Sequence, residues 1–188
     1  MDHKDPQTLR RLLSRWTTGV AVITTAGRDG VPLGKAVNSF HSVSLDPPLV
    51  GWCVDVRSTR YDEWVEAPGY VVHVVSEGQS DLVKRFARSG GDKFDGLNWE
   101  PGPFGMPLIS EASVRLECQM WKQVEAGDHT YLIAEVIEVE DGPVSALLFH
   151  AGQPRTLGEL VELHTASQAV TTLPRPSVAP TTPLLKAL

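Results

Sequence analysis

Val20-Ala21-Val22-Ile23-Thr24-Thr25, then Gly27-Arg28-Asp29-Gly30, then Val31-Pro32-Leu33-Gly34-Lys35-Ala36-Val37-Asn38-Ser39: two strand-forming runs around one turn set the architecture of this chain. The first run is β-branched, the four-residue insert favours a turn, and the second run carries the chain back. Working outward, residues 40–45 read as a third strand, stopped at Asp46-Pro47-Pro48 because proline cannot donate to a ladder. Residues 49–54 are nearly all apolar, as in a strand buried on both faces. Further strands are expected over residues 70–75, 114–121, 130–138 and 146–150. Three helices interrupt them. The first is capped by Asp5 with Pro6 at its first position, turns Leu9, Leu12, Leu13 and Trp16 to the core, keeps Arg10, Arg11 and Arg15 wet, and ends at Gly19. The second covers residues 58–66, with Thr59 and Asp62 at capping-box spacing. The third starts at Ser80 and runs to Arg88, before the loop Ser89-Gly90-Gly91-Asp92. Short strands broken by only three helices favour a closed antiparallel barrel, mainly β, over a βαβ sheet.

The chain has 188 residues, 41% of them hydrophobic, and a net charge of -6. That length is enough for one domain with its own core. An acidic balance argues against a general nucleic-acid binder, which needs a basic surface to neutralise phosphates. No apolar run approaches the roughly 18 residues that cross a bilayer, so no membrane association is expected. The polar residues 1–6 lead into no signal segment. The two cysteines, Cys53 and Cys118, match no zinc or redox spacing and read as buried free thiols in a reducing cytoplasm. Residues 1–164 form the expected domain. Residues 165–188 carry Pro174, Pro176, Pro180 and Pro183 among Ser and Thr, and read as an extended or disordered extension.

Several chemistries lack their motifs. Gly34-Lys35 has Asp29 where a phosphate loop needs glycine and Ala36 where it needs a hydroxyl. There is no Gly-x-Gly-x-x-Gly after a strand and no Gly-x-Ser-x-Gly elbow. The six histidines (His3, His41, His73, His129, His150 and His164) include no pair at metal-ligand spacing, so no metal is expected.

Three segments stand in a telling order: Thr18-Gly19-Val20-Ala21-Val22-Ile23-Thr24-Thr25, then Gly34-Lys35-Ala36-Val37-Asn38-Ser39-Phe40, then Ser42-Val43-Ser44-Leu45-Asp46-Pro47-Pro48-Leu49-Val50. Lys84-Arg85-Phe86-Ala87, Gly91-Asp92-Lys93-Phe94 and Gly127-Asp128-His129-Thr130 follow. Together, over residues 9–157, these motifs resemble the flavin reductase domain of the FMN-binding split-barrel type, found in reductase components of two-component flavin monooxygenases. The resemblance implies a homodimeric, six-stranded antiparallel split barrel of Greek-key type with flavin near the subunit interface. It also implies FMN or FAD as the flavin and NADH or NADPH as hydride donor.

The resemblance further implies that the strand carrying Lys35, Ala36, Val37, Asn38 and Ser39 offers main-chain N–H groups to the flavin edge that gains negative charge on reduction. Cys53, Val54 and Asp55 with Arg57, Ser58 and Thr59 join a strand end to a helix start. Free N–H groups, hydroxyls and a guanidinium suit an anion there, and the family places the ribityl chain and phosphate at this point. An ordinary cap beside a solvated arginine is the plain alternative. Lys84 and Arg85 are second phosphate candidates, although such a pair usually sits on a solvated helix face, and Phe86 beside them suits core packing. Asp128 can fix the tautomer of His129, which by resemblance borders the nicotinamide; a turn histidine is the alternative. His150 ends the last strand near the expected nucleotide.

Two departures stand out. Family members commonly carry Thr-Ala-Asn where this chain has Ala36-Val37-Asn38. After His150-Ala151-Gly152, Ala151 and Gln153 replace basic residues and Pro154 replaces tyrosine. His41 is also atypical and could point into the same pocket. The leading expectation is an NAD(P)H:flavin oxidoreductase supplying reduced flavin to a partner monooxygenase. A repurposed barrel, either a tight flavin carrier or a flavin-independent biosynthetic enzyme, is second. A non-enzymatic dimer whose tail recruits a partner is third.

Overall fold

The computed structural model describes residues 5–112 and 114–158. The proline-rich segment 165–188 and the expected boundary at residue 164 lie outside the described residues. The strands are β1 (Thr18–Gly19), β2 (Ala21–Ala26), β3 (Pro32–Val37), β4 (His41–Leu45), β5 (Pro48–Asp55), β6 (Gly69–Val74), β7 (Trp99–Pro101), β8 (Pro107–Ile109), β9 (Val114–Ala126), β10 (His129–Glu140), β11 (Leu148–His150) and β12 (Gln153–Arg155). The helices are α1 (Pro6–Leu13), α2 (Tyr61–Glu66) and α3 (Ser80–Ala87). No helix among the described residues is long and apolar enough to cross a membrane.

Seven strands form one antiparallel sheet in the order β3-β2-β6-β9-β10-β5-β4, one more than the resemblance implies. Its two edges, β3 and β4, are consecutive in the chain and joined only by Asn38, Ser39 and Phe40. Four Cα steps of at most about 3.6 Å keep those edges within about 14 Å of each other. A flat seven-stranded sheet would hold them about 29 Å apart at about 4.8 Å per strand. The sheet must therefore roll into a barrel, and the seam between β3 and the β4–β5 hairpin is a split.

The barrel interior is filled from alternate positions of its strands. Ala21 and Ile23 of β2, Trp52 and Val54 of β5, Tyr70 and Val72 of β6, Cys118 of β9 and Leu132 of β10 pack there. Trp52 lies edge-on to Trp64 of α2 and to Tyr70, with ring centroids 5.6 and 5.3 Å apart. Val20 and Val22 face the other way, into a second cluster with Phe86 of α3, Phe94, Ile109 and Leu147. β2 is thus buried on both faces, which its unbroken apolar and threonine composition allows. His73 of β6 ties the two layers together: its Nδ1 donates to Val22 O at 3.1 Å and its Nε2 accepts from Ile109 N at 3.0 Å. Burial pushes this imidazole down to about 4, with Arg115 adding to the effect against the bond to Val22.

Several local expectations need correction. Asp5 does cap α1, accepting from Gln7 N and Thr8 N, but the helix stops at Leu13 rather than Gly19. Its apolar stripe is not core: Leu13 is 64% and Trp16 78% exposed, with Leu9 and Leu12 also open, because no element among the described residues covers that face. α2 begins at Tyr61, after Arg60 in a left-handed conformation, so Thr59 and Asp62 form no capping box. β9 runs on to Ala126, well beyond residue 121, and forms a long hairpin with β10, and Pro48 starts β5 rather than ending the previous strand. Both cysteines are free, Cys118 buried and Cys53 half-buried.

Candidate cofactor site

A cavity of about 850 Å³ lies along the split. Asp55 at the end of β5 supplies one wall with the following turn, Arg57 to Arg60, and Trp64 of α2; β4 pairs with β5 only as far as His41 opposite Gly51, so that end of β5 has no partner on that side. β3 supplies the other, with Gly34, Lys35 and Ala36 lining the space. As a sheet edge, β3 directs half of its N–H and C=O groups away from β2. α3 and the following turn, residues 87–94, roof the cavity. Gly34 permits that roof: a Cβ there would overlap the Phe86 ring.

Five cations line this space: Lys35, Arg57, Arg60, Arg88 and Lys93. Two are neutralised. Arg57 grips Asp55 through Nε at 3.1 Å and Nη2 at 2.9 Å, holding that carboxyl well below its ordinary value, and Arg60 pairs with Glu63. Lys35 and Lys93 form no ion pair among the described residues. Lys35 Nζ donates to Ser58 Oγ across the mouth of the split. Lys93 Nζ donates to Gly34 O at 3.1 Å and to Phe86 O at 3.2 Å, leaving one of its three N–H bonds free. Partial burial lowers both ammonium groups, Asp55 opposing the effect at Lys35 and Lys35 itself adding to it at Lys93. Two half-buried, uncompensated ammonium groups beside an unpaired strand edge make a ready anion site. An elongated molecule with a phosphate at one end and a polar ring at the other fits this donor set: cations and hydroxyls at the mouth, main-chain donors along β3.

The sequence-predicted residues divide accordingly. The cavity gathers Lys35, Ala36, Asp55, Arg57, Ser58, Thr59 and Phe86. Arg57, Ser58 and Thr59 sit in the turn before α2, so two hydroxyls and a guanidinium, not a helix N-terminus, line the cavity here. Val37 and Val54 turn their side chains into the barrel core, which leaves them only main-chain groups to offer. Ser39 Oγ accepts from Cys53 N at 3.1 Å, bridging the closed end of the split. Asn38 is exposed beside it. Lys84 and Arg85 lie elsewhere, on a second cavity of about 750 Å³. Lys84 pairs with Asp81 at 2.8 Å, and Arg85 donates to Asp95 O at 2.6 Å and to Lys93 O at 3.3 Å. Arg85 thereby holds the turn that presents Lys93. Arg60, Arg88 and Lys93 are the cavity cations not named as site residues from the sequence; the signal for Lys93 was the motif Gly91-Asp92-Lys93-Phe94.

Neither Asp128 nor His129 lines the cavity; they sit at the β9–β10 turn beside Asp55, which does. His129 pairs in register with Asp55, and its Nδ1 lies 2.7 Å from Asp128 Oδ1. That bond, with the charge of His129, lowers the Asp128 carboxyl, keeping it an acceptor that fixes the proton on Nδ1 and leaves Nε2 free. His150 is not among the cavity residues. Its Nδ1 meets Thr17 Oγ1 at 2.8 Å, and the hairpin turn Ala151-Gly152, both at positive φ, follows it.

Residues 13–158 match the family model described as flavin reductase like domain. The chain is 40% identical over 149 residues to an FMN reductase (NADH), SmoA, of Agrobacterium fabrum, covering 79% of this chain and 84% of that protein. It is 36% identical over 152 residues to the reductase subunit HsaB of a flavin-dependent monooxygenase from Mycobacterium tuberculosis, covering 79% and 80%. The solved structure of the Streptomyces globisporus NADH:FAD oxidoreductase SgcE6, in complex with NAD and FAD fragments, matches with a TM-score of 0.78 at 38% identity, covering 84% of this chain and 96% of that one. Some curated relatives are longer, and the chain spans about half, 51%, of one from Rhizobium meliloti. A rolled antiparallel sheet with a cation-lined split, matched over most of its length by one family model, belongs to the flavin reductase like domain family.

Proposed function

We propose that this protein is an NAD(P)H:flavin oxidoreductase that reduces FMN or FAD and releases the reduced flavin to a separate monooxygenase. The observation that carries this reading is the pair of half-buried lysines, Lys35 and Lys93, neither in an ion pair among the described residues, at the mouth of a split whose wall is an unpaired strand edge. Bound flavin would supply a ring that accepts hydride from the nicotinamide. Lys35, Ser58, Thr59 and Lys93 hold its phosphate, and the main chain of residues 35–39 faces its polar edge. Fixed donors at that edge favour the charge gained on reduction and need no reorganisation. The change from threonine to Ala36 removes a hydroxyl but leaves those main-chain donors. His129, oriented by Asp128 and next to Asp55, presents Nε2 to position the nicotinamide, where proximity contributes most of the rate.

The names of the relatives support the reaction and the monooxygenase partner. Exposed Leu9, Leu12, Leu13 and Trp16 beside α1, with Trp121, Ile137 and Val139 on the long hairpin, support a homodimer that covers them. The unpaired cysteines fit a reducing compartment, the cytoplasm. The test is oxidation of NADH and of NADPH by purified protein with FMN or FAD added. Turnover that saturates with flavin is expected; folded protein that oxidises neither nucleotide overturns the reading.

A further inference from the structure

Tyr131 of β10 reaches across β5 to His41 of β4. Gly51 makes the crossing possible, because a Cβ at that position would overlap the Tyr131 ring and hydroxyl. The His41 and Tyr131 rings are parallel within 5°, with centroids 5.5 Å apart, and His41 Nε2 lies 2.9 Å from the Tyr131 hydroxyl. A face-to-face stack would separate the two planes by about 3.5 Å, the usual carbon contact distance. Two in-plane atoms 2.9 Å apart hold the planes closer than that, so the rings are parallel but offset and meet at their polar ends as one strap. Its polarity is fixed. Ser39 O, 2.9 Å from His41 Nδ1, can only accept, so Nδ1 carries the proton and neutral Nε2 accepts from the Tyr131 O–H.

The strap ends on the three-residue connection that closes the split. Ser39 is held twice: its carbonyl by His41, and its hydroxyl by Cys53 N, the register partner of Tyr131. Nothing in the sheet ladder fixes Asn38, Ser39 and Phe40, which lie between two edge strands. We propose that His41 and Tyr131 are positioning residues for the flavin, locking the Ser39 carbonyl and with it the main-chain donors at the closed end of the split. The proposal rests on the flavin-binding reading above. His41 and Tyr131 act as one unit, since removing either end leaves the other unanchored.

Flavin dissociation constants, from quenching of flavin fluorescence on titration with the full chain, give a readout separate from turnover. Tyr131→Phe removes one oxygen and keeps the ring in its notch. It is expected to weaken flavin binding about five-fold, the size of one net hydrogen bond, and to raise KM for flavin while kcat changes less than two-fold. His41→Ala should match it, and the double variant should be no weaker than either single one. His41→Asn, whose amide can replace Nδ1 towards Ser39 O, should recover most of the loss. Wild-type affinity in both Tyr131→Phe and His41→Ala overturns the proposal, as does His41→Asn binding as weakly as His41→Ala. Wild-type protein that neither binds nor reduces flavin instead overturns the reading on which it rests, and the strap's role with it.

Discussion

The two sides of α3 carry similar charges, and Lys84 on one and Lys35 on the other sit in opposite circumstances. Towards the second cavity, Lys84 is answered by Asp81 and Arg85 by two carbonyl oxygens. Towards the split, Lys35 and Lys93 are half-buried and answered only by a hydroxyl and by carbonyls. An exposed lysine paired on its own helix is a solvated face worth little. A partly desolvated one without an anion is held at a cost, and such a cost is usually retained where a ligand supplies the missing charge. Basic residues therefore mark a site by what they lack, not by their number.

The largest effect expected bears on the buried join between β2, β6 and β8. His73 is neutral and buried, titrating near 4 in the folded chain against about 6.5 when unfolded. Between those values the unfolded state binds a proton that the folded state refuses, so stability falls as pH drops through that window and levels off below it. The loss is on the order of 3 kcal/mol. Denaturant midpoints measured from pH 7 to pH 4 should show it, and His73→Gln should flatten the curve.

Gly34→Ala comes next. Its methyl would overlap Phe86 and push α3 off β3, costing about 2 kcal/mol of stability as overpacking usually does. Flavin affinity should fall with it; an unchanged melting temperature would show that α3 does not roof the split as described. Lys35→Met sharpens the contrast itself. It should weaken flavin binding about 10-fold or more, the size of a charge-assisted bond, without lowering the melting temperature, because the lost ammonium was uncompensated. Lys93→Met should act in the same direction. Lys84→Ala should be the smallest, leaving flavin affinity within about two-fold, since an exposed pair contributes little. If Lys84→Ala weakened binding as much as Lys35→Met, the assignment of the two sides would be reversed.

Much of this was legible along the chain. The β-branched run in β2, the turn of residues 27–30 and the proline stop after Leu45 are local signals, and they place strands within a residue or two. Asp5 announces α1 for the same reason. The misplaced start of α2 shows the limit: Thr59 and Asp62 have capping-box spacing, but Arg60 adopts a left-handed conformation and the helix waits for Tyr61. The stripe of α1 shows another, because periodicity states that a face is apolar and not what will cover it.

Within the site, Lys35, Arg57, Ser58 and Thr59 could be named from motif order, and Asp128 beside His129 from adjacency. The sequence by itself determined that this is a strand-rich chain without a Rossmann unit or phosphate loop, and which polar segments interrupt its strands. Those properties depend on neighbours within a few positions. Only the tertiary structure decided that Lys93, and not Lys84 or Arg85, faces the split with Lys35, and that Tyr131 crosses Gly51 to reach His41. Both facts depend on how a rolled sheet closes on itself and on where its roof helix lands. They bring together residues 58 and 90 positions apart, a relation that no local pattern encodes.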